Sequence, residues 1–277
     1  MEPVHDGPRI VVFPATTTED NNMPVQDLFS LRGQVALVTG SGAGIGKAIC
    51  LMFAEAGADI ACTDLKLEEA ESVASECRKL GRQALALKLD VMNEAERCAT
   101  VEQAVQQLGK LTILVNNAGG GGPKPFDMPM SDFERAFQLN LFSMFRMCQL
   151  CAPQMKAAGG GAIINISSMA GQNKNQRMCS YGASKAAVDH LTRNMAFDLG
   201  PDKIRVNALA PGAIRTAALA TVLTPEVEAA MLKHTPLGRL GEGSDIAAAA
   251  VFLASPASAW VSGQVLTVSG GGVQELD

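Results

Sequence analysis

The sequence predicts an α/β fold, a single doubly wound parallel sheet of about seven strands with helices on both faces. Three observations predict it. Short apolar runs recur along the chain, longer stretches of helical spacing separate them, and a glycine-rich turn joins the first run to the first helix. Strands buried on both faces read as continuous apolar runs, and their alternation with helices marks parallel connections. With 277 residues, 47% of them hydrophobic and 18% charged, the chain can bury a core without disulfide or metal staples.

Residues 1–30 stand apart. They hold four prolines, a run of three threonines, and Glu2, Asp6, Glu19, Asp20 and Asp27 against Arg9 alone. Four of the five net negative charges therefore sit here, and the rest of the chain is close to neutral. The short apolar run 10–13 is too brief for a signal core and has no basic flank. This segment is expected to be a poorly ordered extension, and Met23 is an alternative start. The single domain is expected over 31–277. No basic patch exists to hold a phosphate backbone, which argues against nucleic acid, and no run reaches the length of a membrane span.

From residue 31 the pattern is regular. Strands are expected at 35–39, 59–63, 84–89, 112–115, 162–167, 204–209 and 264–268, and helices at 47–56, 67–80, 95–108, 133–156 and 184–199. Ser131-Asp132-Phe133-Glu134 has the form of a capping box, and Thr224-Pro225-Glu226 sets a cap, a first-turn proline and an acid. The apolar stretches 217–222 and 227–232, within 212–235, suit either a substrate lid or packing on the sheet.

After the first strand comes Thr39-Gly40-Ser41-Gly42-Ala43-Gly44-Ile45-Gly46. Strand, glycine loop and helix N-terminus together make an anion site, because glycines admit a pyrophosphate and the helix end offers unpaired N–H groups. Asp64 ends the second strand, placed to accept bonds from ribose hydroxyls and repel a 2′-phosphate. NAD is thus favoured over NADP, with Lys66 the one nearby cation that could weaken the choice.

The only tyrosine, Tyr181, begins Y-x-x-x-K with Lys185. Residues i and i+4 share a helix face, so both side chains can address one ligand. A neighbouring ammonium and a cationic nicotinamide both favour the phenolate and are together expected to lower the phenol's pKa. Ser168, 13 residues upstream, follows a strand end, with Ser167 an open alternative from spacing alone. Asn140 lies inside the helix expected over 133–156, where Asn is disfavoured and calls for a reason.

Other chemistries fit poorly. No G-x-S-x-G elbow is present, and His5, His190 and His234 have no evident partner. Cys148-Gln149-Leu150-Cys151 lies in a helical run with no second pair, so it is expected to pack in the core, with no metal site. Seven scattered cysteines suit a reducing cytoplasm.

T-G-x-x-x-G-I-G, Asn116-Asn117-Ala118-Gly119, Ser168 with Y-x-x-x-K, and Pro211-Gly212-Ala213-Ile214-Arg215-Thr216 together resemble the short-chain dehydrogenase/reductase family over nearly all of 31–277. The resemblance implies a Rossmann-type, NAD-dependent oxidoreductase. It implies that Gly40, Gly44, Ile45, Gly46, Asp64, Leu65, Asp90, Val91, Asn117, Tyr181, Lys185, Ile214, Arg215 and Thr216 bind the dinucleotide. Tyr181, Lys185, Ser168 and Asn140 would be catalytic. The stretches 116–130 and 260–276 are similar to the branch that oxidises the 7α-hydroxyl of bile acids. This implies a steroid substrate bordered by Gly121, Asn173, Ser168 and Tyr181, and a homotetramer. Arg215 departs from that branch, where an apolar residue is expected. Alternatives are another reductase of the family, such as one acting on 3-oxoacyl carrier protein, or a catalytically silent dinucleotide-binding scaffold.

Overall fold

The computed structural model describes residues 23–220, 223–233 and 235–272. The extension expected over residues 1–30 therefore falls largely outside the described residues. Its last part is α1 (Val25–Leu28), beyond which Phe29 sets its ring 6.5 Å from that of Phe252.

All seven expected strands form. They are β1 (Val35–Thr39), β2 (Asp59–Asp64), β3 (Ala84–Lys88), β4 (Ile113–Asn116), β5 (Gly161–Ile166), β6 (Ile204–Pro211) and β7 (Val265–Val268). They make one all-parallel sheet in the order β3-β2-β1-β4-β5-β6-β7. The order reverses beside β1, so the carboxyl ends of β1 and β4 open a crevice between them.

Strand pleating splits the core in two. Ala36, Val38, Ile60 and Cys62 face α2 (Gly44–Glu55), α3 (Leu67–Lys79) and, across the sheet, the later helix α10 (Gly243–Ala254), with Phe53 fully buried. Leu37 and Ala61 point the other way, onto α4 (Glu94–Leu108), α6 (Ser143–Ala157) and α7 (Cys179–Leu199). A side chain such as Phe53, fully out of water, contributes on the order of 1.5–3 kcal/mol. Cys148 and Cys151 lie in this second core, as expected.

Local signals set the helix ends. Asn93 caps α4 by accepting the Glu96 N–H at 3.2 Å, and Gly109 closes it at φ 83°. Thr224 caps α9 (Pro225–Leu232) by accepting the Val227 N–H at 3.3 Å. The capping box expected at Ser131 does not form. Helix α5 (Met130–Phe137) begins earlier, behind Pro129, whose φ of −56° sets the chain's entry, and Ser131 falls inside the first turn. The long helix expected over 133–156 is continuous but broken in register by a π turn, Gln138–Phe142, between α5 and α6. Ahead of α9 lies the short α8 (Ala217–Ala220). No helix among the described residues is long and apolar enough to cross a membrane.

Candidate active site

The glycine loop is shaped by its neighbours. Gly40 has φ 62° and lies against Ala118, while a Cβ on Gly46 would stand 2.3 Å from the Gly40 carbonyl and 2.5 Å from Asn117 Nδ2. Asn117 Nδ2 donates to the Thr39 and Gly40 carbonyls at 2.9 and 2.7 Å. In return the Thr39 hydroxyl accepts the Asn117 and Ala118 N–H groups at 3.0 and 2.9 Å. The end of β4 is thereby fastened to the loop after β1. The N-terminus of α2 has no side-chain cap and no acid in its first turn, so its free amides suit an anion such as a pyrophosphate.

On one side of this loop a cavity of about 230 Å³ is lined by Gly40, Asp64, Leu65, Asp90, Val91 and Asn117, among others. Asp64 accepts the Gly42 N–H at 2.9 Å and the Lys66 N–H at 3.2 Å, which fixes its carboxylate at the rim. The Lys66 ammonium is paired with Glu69 at 2.6 Å. The nearby cation is thus neutralised, and Asp64 dominates the local charge. Asp90 accepts the Met92 N–H at 2.9 Å.

On the other side a cavity of about 420 Å³ shares Asn117 and Gly119 with the first and reaches Gly44, Ile45, Ser168, Tyr181, Lys185, Ile214 and Thr216. Sharing these residues, the two form one groove, and its glycine cradle and Asp64 fit NAD.

Helix α7 presents Tyr181 and Lys185 to this groove. Lys185 is 5% exposed. Its Nζ donates to the Ile166 carbonyl at 2.8 Å and lies 5.8 Å from the centre of the Tyr181 ring. Burial lowers its pKa to about 8, partly offset by the Asp189 carboxylate one turn on. For Tyr181 the balance in the free chain is set by burial. Burial pushes its phenol above the ordinary value, with the Ser168 hydroxyl pulling the other way, and Lys185 does not reverse the sign.

The two serines separate by direction. Ser167 is 3% exposed and donates to the Lys185 carbonyl at 3.2 Å, a structural bond. Ser168 is partly buried, two residues beyond the end of β5, and its hydroxyl meets Tyr181 and accepts the Ala170 N–H at 3.1 Å. Asn140 sits in the π turn and is buried. Such a turn re-aims backbone groups inside a helix and is often found at functional sites. Its side chain accepts the Gly120 N–H at 2.9 Å and donates to the Gly120 carbonyl and the Ser184 hydroxyl, both at 3.0 Å. Ser184 in turn donates to the Tyr181 carbonyl at 2.7 Å. Sequence reasoning missed Ser184 and Thr39, although each stands inside a motif it quoted.

Gly121, at φ 152°, packs on the phenol ring, and a Cβ there would lie 2.5 Å from Tyr181 Cδ2. Asn173 follows the short turn after Ser168 without lining the groove, and its Nδ2 is buried with no partner. The Arg215 side chain is not in the groove that Ile214 and Thr216 line. It points to Glu228 of α9 at 2.7 Å and toward Glu242 at 3.5 Å. His190 is exposed on α7, whereas His5 and His234 lie outside the described residues. Among the described residues no group of three or more His, Cys, Asp or Glu is arranged to hold a metal ion.

This groove has close relatives. A family model described as enoyl-(acyl carrier protein) reductase matches residues 40–272. The 7α-hydroxysteroid dehydrogenase of Escherichia coli (strain K12) is 58% identical over 251 residues, spanning 91% of this chain and 98% of that protein. A 3-oxoacyl-[acyl-carrier-protein] reductase of Thermotoga maritima is 36% identical over 242 residues, 87% of this chain and 98% of its own length. A solved 7α-hydroxysteroid dehydrogenase complexed with NADH and 7-oxo glycochenodeoxycholic acid superimposes with a TM-score of 0.89 at 58% identity, covering 92% of this chain and all of that one. The chain belongs to the short-chain dehydrogenase/reductase family.

Proposed function

We propose that this chain oxidises the 7α-hydroxyl of bile acids such as cholate and chenodeoxycholate to the 7-oxo product, using NAD. The carrying observation is the convergence of Ser168, Tyr181 and Lys185 on the same groove as Asp64, in a chain 58% identical to a 7α-hydroxysteroid dehydrogenase. Gly40, Gly44, Ile45 and Gly46 hold the pyrophosphate, and Asp64, Leu65, Asp90 and Val91 hold the adenosine. Asn117, Ile214 and Thr216, with the backbone of Arg215, hold the nicotinamide end.

When bound, NAD⁺ supplies the hydride acceptor and a positive charge beside the phenol. The chain's own groups manage the proton. Ser168 holds the substrate oxygen and Tyr181 removes its hydrogen. Lys185 binds ribose hydroxyls and favours the phenolate, and Asn140 anchors the relay that carries the proton away. Gly121, packed on the phenol ring, borders the steroid, while Asn173 lies on the loop behind and is not in the groove lining. The segment 212–235 acts as a lid, supported by α9, which buries none of its residues in the core. The chain assembles as a homotetramer, in keeping with Trp260 at 99% exposure near the edge strand β7. It acts in the cytoplasm, in keeping with seven unpaired cysteines.

Steady-state turnover of cholate beside its 7β- and 3α-hydroxy isomers, with NAD and NADP in parallel, tests the reading. NAD-dependent oxidation confined to the 7α compounds is expected. Turnover restricted to a 3-oxoacyl thioester with NADPH would replace it with the alternative reductase.

A further inference from the structure

Two loops leave the carboxyl ends of β4 and β5 and flank Tyr181. One runs through 119–129 and lays Gly121 on the phenol ring. The other runs through 172–178 into α7. They are pinned together where the Lys124 N–H donates to the Arg177 carbonyl at 2.7 Å. Arg177 precedes Tyr181 by four residues, so their Cα atoms are at most about 14 Å apart at full chain extension.

The charges on these loops are uneven. Lys124 is paired with Asp132 at 2.9 Å. Lys174 and Arg177 are exposed, and neither makes an ion pair among the described residues. Asp127, in the turn on the opposite loop, is the one acid of the two loops. Phe126, beside it, is 90% exposed. On the inner side of the second loop, Asn173 Nδ2 and Asn175 Oδ1 are buried without partners. The rim near the reacting phenol thus combines an apolar surface with two uncommitted cations on long arms.

A bile acid has matching chemistry: a rigid apolar ring system with its 7-hydroxyl on one edge and an acidic side chain at the far end. We propose that Lys174 and Arg177 receive the anionic end of that side chain, making the enzyme selective for acidic steroids over uncharged ones of the same skeleton. This rests on the bile-acid reading above. Both cations are reachable from solvent, so they act by charge attraction with little desolvation cost, and the effect weakens with salt.

Backbone geometry supplies a clean variant. Arg177 has φ 61°, a left-handed conformation that Asn adopts more readily than Arg. Arg177→Asn therefore removes the charge while easing the backbone, so a loss cannot be blamed on a strained loop. The experiment compares glycochenodeoxycholic acid with its uncharged methyl ester, with NAD, on the full chain, Arg177→Asn, Lys174→Gln and the double variant. In the double variant KM for the acid is expected to rise about three- to tenfold, two modest charge contacts together. Its kcat stays level, and KM for the ester stays within about twofold. Arg177→Lys keeps the low KM for the acid. The proposal is overturned if acid and ester move together, or if neither moves. If the unaltered chain oxidises neither compound, the bile-acid reading falls and this inference falls with it.

Discussion

On the floor of the groove Lys185, Asn140 and Ser168 are tied to backbone groups, whereas on the rim the side chains are tied mainly to one another at the surface. Lys185 is held by the Ile166 carbonyl, Asn140 by the N–H and the carbonyl of Gly120, and Asn140 is joined through Ser184 to the Tyr181 backbone carbonyl. The rim has Arg215 bridging Glu228 and Glu242 and Lys124 paired with Asp132, all partly or largely exposed. A buried hydrogen bond left half-made costs more than a solvated ion pair lost. The floor therefore has one geometry, suited to chemistry that fails with small displacements. The rim can shift at small cost, which suits it to admitting and releasing a bulky substrate.

If that division holds, floor substitutions change kcat and rim substitutions change KM or release. The largest effect belongs to Tyr181→Phe. It deletes the one oxygen able to take the substrate proton and leaves the ring against Gly121. With cholate and NAD, kcat should fall at least about 100-fold with KM little changed, since acid–base groups contribute roughly 10²–10⁴-fold. Retention of more than about 1% of activity would move the proton transfer elsewhere.

A second test reads the floor without turnover. The chain has a single tyrosine, so phenolate absorbance reports Tyr181 alone. Burial disfavours the anion, so the free protein should titrate above the ordinary phenol value near 10. Positive charge beside the ring favours the anion, so adding NAD⁺ should move the titration to lower pH. Turnover by Tyr181 should then rise with pH through the shifted value, because oxidation needs the phenolate. A titration unmoved by NAD⁺ would leave Lys185 to activate the phenol unaided, against the sign found here.

The same division explains what could be read from the residues. Strand β1, the glycine loop and Y-x-x-x-K are local patterns: pleat, positive φ and helical spacing act within a few residues, so spacing suffices. Ser167 and Ser168 could not be told apart, because which hydroxyl faces the phenol depends on where β5 ends and on contact with α7. The burial that raises the Tyr181 phenol in the free chain was hidden for a similar reason, since it is set by elements far apart in the chain. Lys66 looked free to offset Asp64 until Glu69, one helical turn on, proved to hold it. The π turn at Asn140 left only a weak trace, an Asn in mid-helix. Thr39 and Ser184 were visible as letters of motifs, but their bonds to Ala118 and Asn140 join residues 79 and 44 positions apart.

The smallest effect is expected at Arg215, where the resemblance implied an apolar residue. Its guanidinium joins the nicotinamide-side loop to α9 and to the start of α10. The side chains involved are roughly a third to a half exposed, so the pairs stabilise the closed arrangement by no more than about 1 kcal/mol, which corresponds to about a fivefold change in how often α9 swings away. Arg215→Leu removes both pairs and keeps the stem's apolar bulk. If release of the 7-oxo product limits turnover, kcat should rise about two- to threefold and KM should rise with it. High salt should mimic the variant in the unaltered chain and do nothing further to Arg215→Leu, because the charges that salt screens are already gone. A change larger than tenfold, or one insensitive to salt, would place Arg215 with the floor and erase the boundary drawn between the two regions.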